Sequence, residues 1–253
     1  MRVALRRPAT ATYTFLLAAA DPSGMEFTEG VYDLPVTLET DDGERVFHPS
    51  AVELEDGGLL LVDAGFGHTL DQLEANLDGH GFGLADVEFV LLTHQDGDHV
   101  GGLAPLVDRV PDVTVFAHRD DAPAIDGREA PIKGQGDRYP AVPVDVELAG
   151  GETFRTAAGP LDVVATPGHT PGHVSLHLPE RDVLLAGDAL TADDTGLRGP
   201  KEHFTPKLSQ AIDSVRALAD RDPETTLAYH GGLVEHGHGR VADLHDELDA
   251  DLD

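Results

Sequence analysis

Leu91-Leu92-Thr93-His94-Gln95-Asp96-Gly97-Asp98-His99-Val100-Gly101-Gly102 decides how the rest of this chain is read. The apolar run Phe89 to Leu92 has the length of a buried strand and stops at Thr93. Four side chains able to hold a cation follow within six residues: His94, Asp96, Asp98 and His99. Imidazole and carboxylate suit divalent cations such as zinc, iron or manganese. In a tight turn His94 and Asp96 can address one ion while Asp98 and His99 turn to a second. Gly97 lets the backbone bend without a Cβ clash. A solvated turn would account for Asp96, Gly97 and Asp98, because turns favour those residues. It gives no reason for two histidines directly after a buried strand, where ligand sites form at the mouth of a sheet.

Three further apolar runs end in the same way. Leu161 to Ala165 leads into Thr166-Pro167-Gly168-His169-Thr170-Pro171-Gly172-His173. Val183-Leu184-Leu185-Ala186 leads into Gly187-Asp188, and Thr226-Leu227-Ala228 into Tyr229-His230-Gly231-Gly232. In these elements, taken in order, the chain resembles the metallo-β-lactamase-fold hydrolase superfamily. The matching motifs are H-x-H-x-D-H, T-P-G-H-T-x-G-H, G-D and a late G-H-G, covering Val31 to Leu252.

The resemblance implies an α/β (α+β) fold, the four-layer αββα sandwich, with a dinuclear site for two divalent metal ions. Zinc is the first expectation, with iron or manganese as alternatives. Carried over by position, His94 and His169 would bind the first metal. Asp98, His99 and His230 would bind the second, and Asp188 would bridge the two. Asp63 would support the site from behind, and His173 would pack behind it. Two cations about 3.5–4 Å apart can share a water and lower its pKa enough to give hydroxide near neutral pH. Asp98 would be the catalytic residue that holds this hydroxide in line. The expected reaction is hydrolysis of an ester, thioester, lactone or related bond in a small molecule.

The chain departs from the motif at two positions. The family's second histidine is Asp96 here, read as a ligand that makes the first site harder and more negative. The glycine before the last histidine is Tyr229, whose ring either lines the pocket or packs. No Gly-x-Ser-x-Gly elbow, phosphate-binding lysine loop or dinucleotide fingerprint occurs, which removes the main rival enzyme designs. Iron-based oxygen or sulfur chemistry at the same site, and a non-catalytic metal-binding module, stand as alternatives.

The 253 residues carry 47 Asp+Glu against 17 Lys+Arg, a net charge of −30. The acids are spread along the chain, and 40% hydrophobic residues exclude a disordered acidic segment. The pattern resembles proteins of salt-loving organisms, whose charged surfaces salt screens. Such a charge argues against nucleic acid as a partner. Cysteine is absent, so disulfides, thiolate ligands and a cysteine nucleophile are excluded. No apolar run approaches a membrane span. The expectation is a cytoplasmic protein with no membrane partner; oligomeric state has no reading in the sequence.

Residues 1–24 read as an N-terminal extension: a gene start placed too early, with Met25 the first residue, or a weak export signal behind Arg6-Arg7. They are set aside, leaving 25–253 as a single domain. Val31 to Glu39 and Val46 to Glu55 read as two strands joined by Asp41-Asp42-Gly43. Gly58 to Gly65 reads as a buried strand running into a glycine turn. Thr69 to Leu77 and Val100 to Val110 read as helices, and Val113 to Ala117 as a strand. Arg119 to Pro143 reads as a loop over the active-site face, where Lys133 either meets an acidic substrate group or, the preferred reading, is a solvated lysine. Val144 to Leu148 and Phe154 to Thr156 are expected to open a second sheet. Ala192 to Pro206 reads as a second polar loop, its Lys201 and His203 either facing substrate or, the preferred reading, on the surface. Leu208 to Ala219 and Val241 to Leu252 read as helices. The remaining histidines, His236 and His238 among them, read as surface or core residues.

Overall fold

The computed structural model describes residues 16–17, 24–41, 43–133 and 138–250. The first half supplies β1 (Leu16–Leu17), β2 (Met25–Thr28), β3 (Val31–Asp33), β4 (Val36–Thr40), β5 (Gly43–Phe47), β6 (Ser50–Glu53), β7 (Leu59–Val62) and α1 (Leu70–Gly79). It continues with β8 (Val87–Leu92), α2 (Gly97–Val100), α3 (Leu103–Arg109), β9 (Thr114–His118), α4 (Ala122–Ile125) and β10 (Val146–Leu148). The second half supplies β11 (Thr153–Thr156), β12 (Gly159–Ala165), β13 (Val174–Leu178), β14 (Val183–Gly187), β15 (Thr191–Asp193) and β16 (Gly196–Arg198). After these come α5 (Leu208–Ala219), β17 (Thr225–Ala228), β18 (Gly232–Glu235) and α6 (Arg240–Ala250).

Among the described residues the strands form two seven-stranded sheets and two hairpins. The first sheet has the order β10-β9-β8-β7-β6-β3-β2, with β7 to β10 parallel. The second has the order β1-β18-β17-β14-β13-β12-β11, with β14 and β17 parallel. Strands β7, β8 and β14 are buried throughout or nearly so, and their residues alternate between two cores, as a period of two requires. Leu59, Leu61, Val90 and Leu92 meet Leu70, Leu73 and Leu77 of α1 and Leu103 and Leu106 of α3. Leu60, Val62 and Leu91 point the other way and meet Leu161, Val163, Leu176 and Leu185 of the second sheet. On the far side of that sheet Val164, Leu184 and Ala186 meet Val215 and Leu218 of α5 and Val241 and Leu244 of α6. The chain therefore adopts the expected four layers, αββα. Each fully buried leucine contributes about 1.5–3 kcal/mol by leaving water.

Several sequence expectations need correction. The two long strands expected at Val31–Glu39 and Val46–Glu55 each break in two, at Pro35 and Pro49, because proline has no N–H for the ladder. The outer pieces, β4 and β5, leave the sheet as a separate hairpin. The helix expected from Val100 begins inside the ligand turn as α2 and is interrupted at Gly101-Gly102. A Cβ at Gly102 would lie 2.0 Å from the Ala64 carbonyl oxygen, so this approach of two chain segments admits only glycine. Strand β10 joins the first sheet, parallel to β9, rather than opening the second. Strand β18, absent from the sequence reading, pairs with β17 and leads directly into His236. Leu16 and Leu17, in the segment set aside, pair with Glu235 and Val234. Arg6-Arg7, on which the export reading rests, lies outside the described residues. No helix among the described residues is long and apolar enough to cross a membrane.

Candidate metal centre

The parallel strands β7, β8, β14 and β17 end on the same side of the molecule, and the β12–β13 turn reaches the same place. Asp63 follows β7, His94 follows β8, Asp188 follows β14 and His230 follows β17. The seven expected ligand residues thus converge, although they come from separate segments. His94, Asp96 and His169 form one group with ligand atoms mutually within 4.8 Å; Asp98, His99 and His230 form another. Asp188 lies between them: its Oδ2 is 3.2 Å from His169 Nε2 and 3.3 Å from His230 Nε2. Its Oδ1 is 3.4 Å from His99 Nε2.

The rings are aimed by hydrogen bonds on their far sides. Asp63, buried and at φ 62°, accepts from the Thr93 amide at 2.8 Å and the Thr93 hydroxyl at 2.7 Å. It also accepts from His99 Nδ1 at 2.7 Å, which leaves His99 Nε2 facing Asp98 and Asp188. With the Thr93 proton given to Asp63, His94 Nδ1 donates to Thr93 Oγ1 at 3.1 Å, and His94 Nε2 also faces the centre. Burial opposes the charged form of His99, but Asp63, Asp98 and Asp188 outweigh it and raise its pKa well above the usual value. Burial likewise opposes protonation of His230, and Asp188 and Asp98 overcome it, pushing it up to about 9. For Asp188, burial is outweighed by His230 and His99, which hold its carboxyl well below the ordinary range. Such imidazoles attract protons because acids crowd them, and a metal cation answers the same field.

Four atoms make the stronger statement. His94 Nε2, Asp96 Oδ1, His99 Nε2 and Asp188 Oδ1 are buried with no hydrogen-bond partner among the described residues. Buried polar atoms are almost always paired. These four belong to adjoining groups of the residue types that bind divalent cations. The residues present therefore fit a metal.

His173 has the supporting place expected of it. The Asp188 amide donates to its Nε2 at 2.9 Å, so its Nδ1 carries the proton and donates to Thr166 Oγ1 at 2.8 Å. Burial, with His94 and His169 nearby, keeps its pKa well below the usual value. Tyr229 packs: its ring lies 3.7 Å from the His99 ring, and its hydroxyl donates to the Asp98 carbonyl at 2.5 Å.

Two residues were missed. Asp121 is fully buried and accepts from the Gln95 amide, the Gln95 side chain, the Thr170 hydroxyl and the Gly172 amide, at 2.6–3.0 Å. It ties the His94 loop to the His169 loop. No local signal marks it, because its partners are 26 to 51 residues away. Lys133, expected in solvent, is half-buried with its ammonium 2.6 Å from both Asp96 Oδ2 and His169 Nε2.

A cavity of about 1020 Å³ opens above the centre. The β4–β5 hairpin, Phe66, Tyr139 and Phe204 contribute to its walls. Lys201, also expected on the surface, lines it, while the His203 ring lies tilted against Phe204, with centroids 3.9 Å apart.

The family model of the metallo-beta-lactamase superfamily matches residues 46–230. The chain belongs to this superfamily. A probable metallo-hydrolase of Bacillus subtilis, YflN, is 28% identical over 249 residues, covering 87% of this chain and 90% of the relative. A hydroxyacylglutathione hydrolase of Rhizobium meliloti is 34% identical over 142 residues, 56% of this chain and 46% of that protein. Among solved structures, a metallo-beta-lactamase family protein of Thermus thermophilus superposes with a TM-score of 0.69 at 26% identity. That match covers 89% of this chain and 81% of the other. Rm3 metallo-beta-lactamase also gives 0.69, at 21% identity over 92% and 94% of the two chains, which speaks for the superfamily's fold alone.

Proposed function

We propose that this chain is a metal-dependent hydrolase acting on an ester, thioester, lactone or related bond in a small, acid-bearing molecule. The observation that carries the reading is the closeness of the unpaired His94, Asp96, His99 and Asp188 atoms, of which Asp96 and Asp188 line the cavity. On this reading His94, Asp96 and His169 are ligands of a first half-site. Asp98, His99 and His230 would form a second, and Asp188, which lies between the two groups, would serve both. Bound divalent cations, zinc first and iron or manganese next, would lower the pKa of a shared water towards neutrality and polarise the substrate carbonyl.

The chain's own groups do the rest. Asp98, half-buried and 3.4 Å from His230 Nε2, orients the attacking water and takes its proton. Asp63 and Thr93 keep His94 and His99 in the tautomers that leave Nε2 free. The cavity wall holds the acyl part against Phe47, Phe66 and Phe204.

The charge of the wall supports the choice of substrate. Arg45, Lys133, Arg138 and Lys201 line the cavity, and among the described residues its lining carboxylates are Asp96, Asp98 and Asp188. In a chain with 47 acids and 17 bases, so many cations in one hollow favour a substrate that carries an acid group. The hydrolysis of thioesters by relatives named hydroxyacylglutathione hydrolases agrees with such a substrate.

The test is a hydrolysis screen over thioesters, esters and lactones, each as an acid-bearing and a neutral version, with a chelator control. Expected is chelator-sensitive turnover that favours the acid-bearing members. Metal-free protein after gentle purification, together with no turnover of any member, overturns the reading.

A further inference from the structure

Lys133 belongs to the long segment between β9 and β10, yet its ammonium reaches the centre. It lies 2.6 Å from Asp96 Oδ2, 2.6 Å from His169 Nε2 and 3.2 Å from the Phe204 carbonyl oxygen. An ammonium has three protons and no acceptor. Here each proton has an acceptor, and two of the three acceptors are atoms assigned to the first half-site.

We propose that Lys133 is an internal cation of the first half-site, competing with metal for Asp96 and His169, so that the second half-site fills first. This rests on the metal-centre reading above. A divalent cation sits about 2.0–2.2 Å from carboxylate oxygen and imidazole nitrogen. A cation held by Asp96 Oδ2 and His169 Nε2 would then be in contact with an ammonium placed 2.6 Å from both. The two cannot share those atoms, so metal enters the first half-site only when the Lys133 side chain withdraws.

Position 96 gives the reason for the arrangement. A histidine there would be a neutral ligand. Asp96 adds a negative charge to a site that already holds Asp98 and Asp188, and Lys133 balances it. The second half-site has no such cation among the described residues. Behind it stand Asp63 and the Tyr229 ring, and the charged groups that its three ligand residues face are one another and Asp188.

The experiment is titration of metal-free protein with Zn²⁺, followed by calorimetry and by metal analysis after buffer exchange. Wild type is expected to hold one equivalent tightly and a second at least about tenfold more weakly. K133M, which keeps the apolar stem and removes the charge, is expected to strengthen the weak step at least about tenfold and leave the tight one unchanged. K133Q serves as the second variant should K133M melt at a lower temperature than wild type. In a D98A background the tight step should disappear, and K133M should rescue binding at the remaining half-site. Two equal equivalents in wild type, or identical titrations for wild type and both Lys133 variants, overturn the proposal while leaving the metal centre intact. No zinc uptake by any of these proteins overturns the metal-centre reading and this proposal with it.

Discussion

His99 and His169 face each other across Asp188, but they are held in different ways. The His99 ring is fixed from behind by the Asp63 carboxylate at 2.7 Å and covered by the Tyr229 ring at 3.7 Å. His169 has no carboxylate behind its ring among the described residues. Its Nε2 meets Lys133, Asp96 and Asp188 on the cavity side, and its loop is held at the backbone, by Asp121 on Gly172. The His169 side of the centre is therefore positioned through a loop and charge-balanced by a lysine. The His99 side is fixed at the ring by the residues behind it. A carboxylate behind an imidazole fixes both its tautomer and its direction, so the two halves should differ in metal affinity and in tolerance of mutation.

The largest effect should come from the residue the halves share. Asp188→Ala is expected to lower metal content at both positions and to reduce hydrolysis by at least about a hundredfold; metal analysis beside turnover measures both. Retention of one full equivalent would show that the halves are independent. Asp63→Asn should weaken the second half-site by about 10–100-fold, with a smaller loss at the first, where Thr93 relays its effect to His94, read by metal titration. Equal losses at both would break the contrast drawn here.

Asp121→Asn places an amide among four donors. It should cost about 1–3 kcal/mol of stability, with the metal loss falling on the first half-site; denaturant unfolding and metal titration check the two parts. Tyr229→Phe keeps the stacked ring and removes the hydrogen bond to the Asp98 carbonyl. The expected cost is about 1 kcal/mol, with a small loss at the second half-site and none at the first.

Much of this centre is legible in the chain. His94, Asp96, Asp98 and His99 lie within one short turn, and each of the other ligand residues follows an apolar run that can only be a buried strand. Gly101-Gly102 reads in the sequence as part of a helix from Val100, and not as the place where the Ala64 carbonyl passes. The supporting residues divide by the same rule. His173 is found through its T-P-G-H-T-x-G-H setting, whereas Asp121 and Lys133 sit in stretches rich in Asp, Gly and Pro that look solvated. In a chain so acidic, one more aspartate carries no information until its four donors are in view.

By itself the sequence determined the apolar runs, the strand ends and the ligand types, because strand periodicity and short motifs act between residues a few positions apart. Tertiary structure alone decided that β10 pairs with β9, that Asp121 ties two loops together, and that the Lys133 ammonium meets Asp96 and His169. Those outcomes depend on which distant segments the two sheets bring together. Hydrogen bonds and ion pairs act over a few ångströms in space, and separation along the chain says nothing about them.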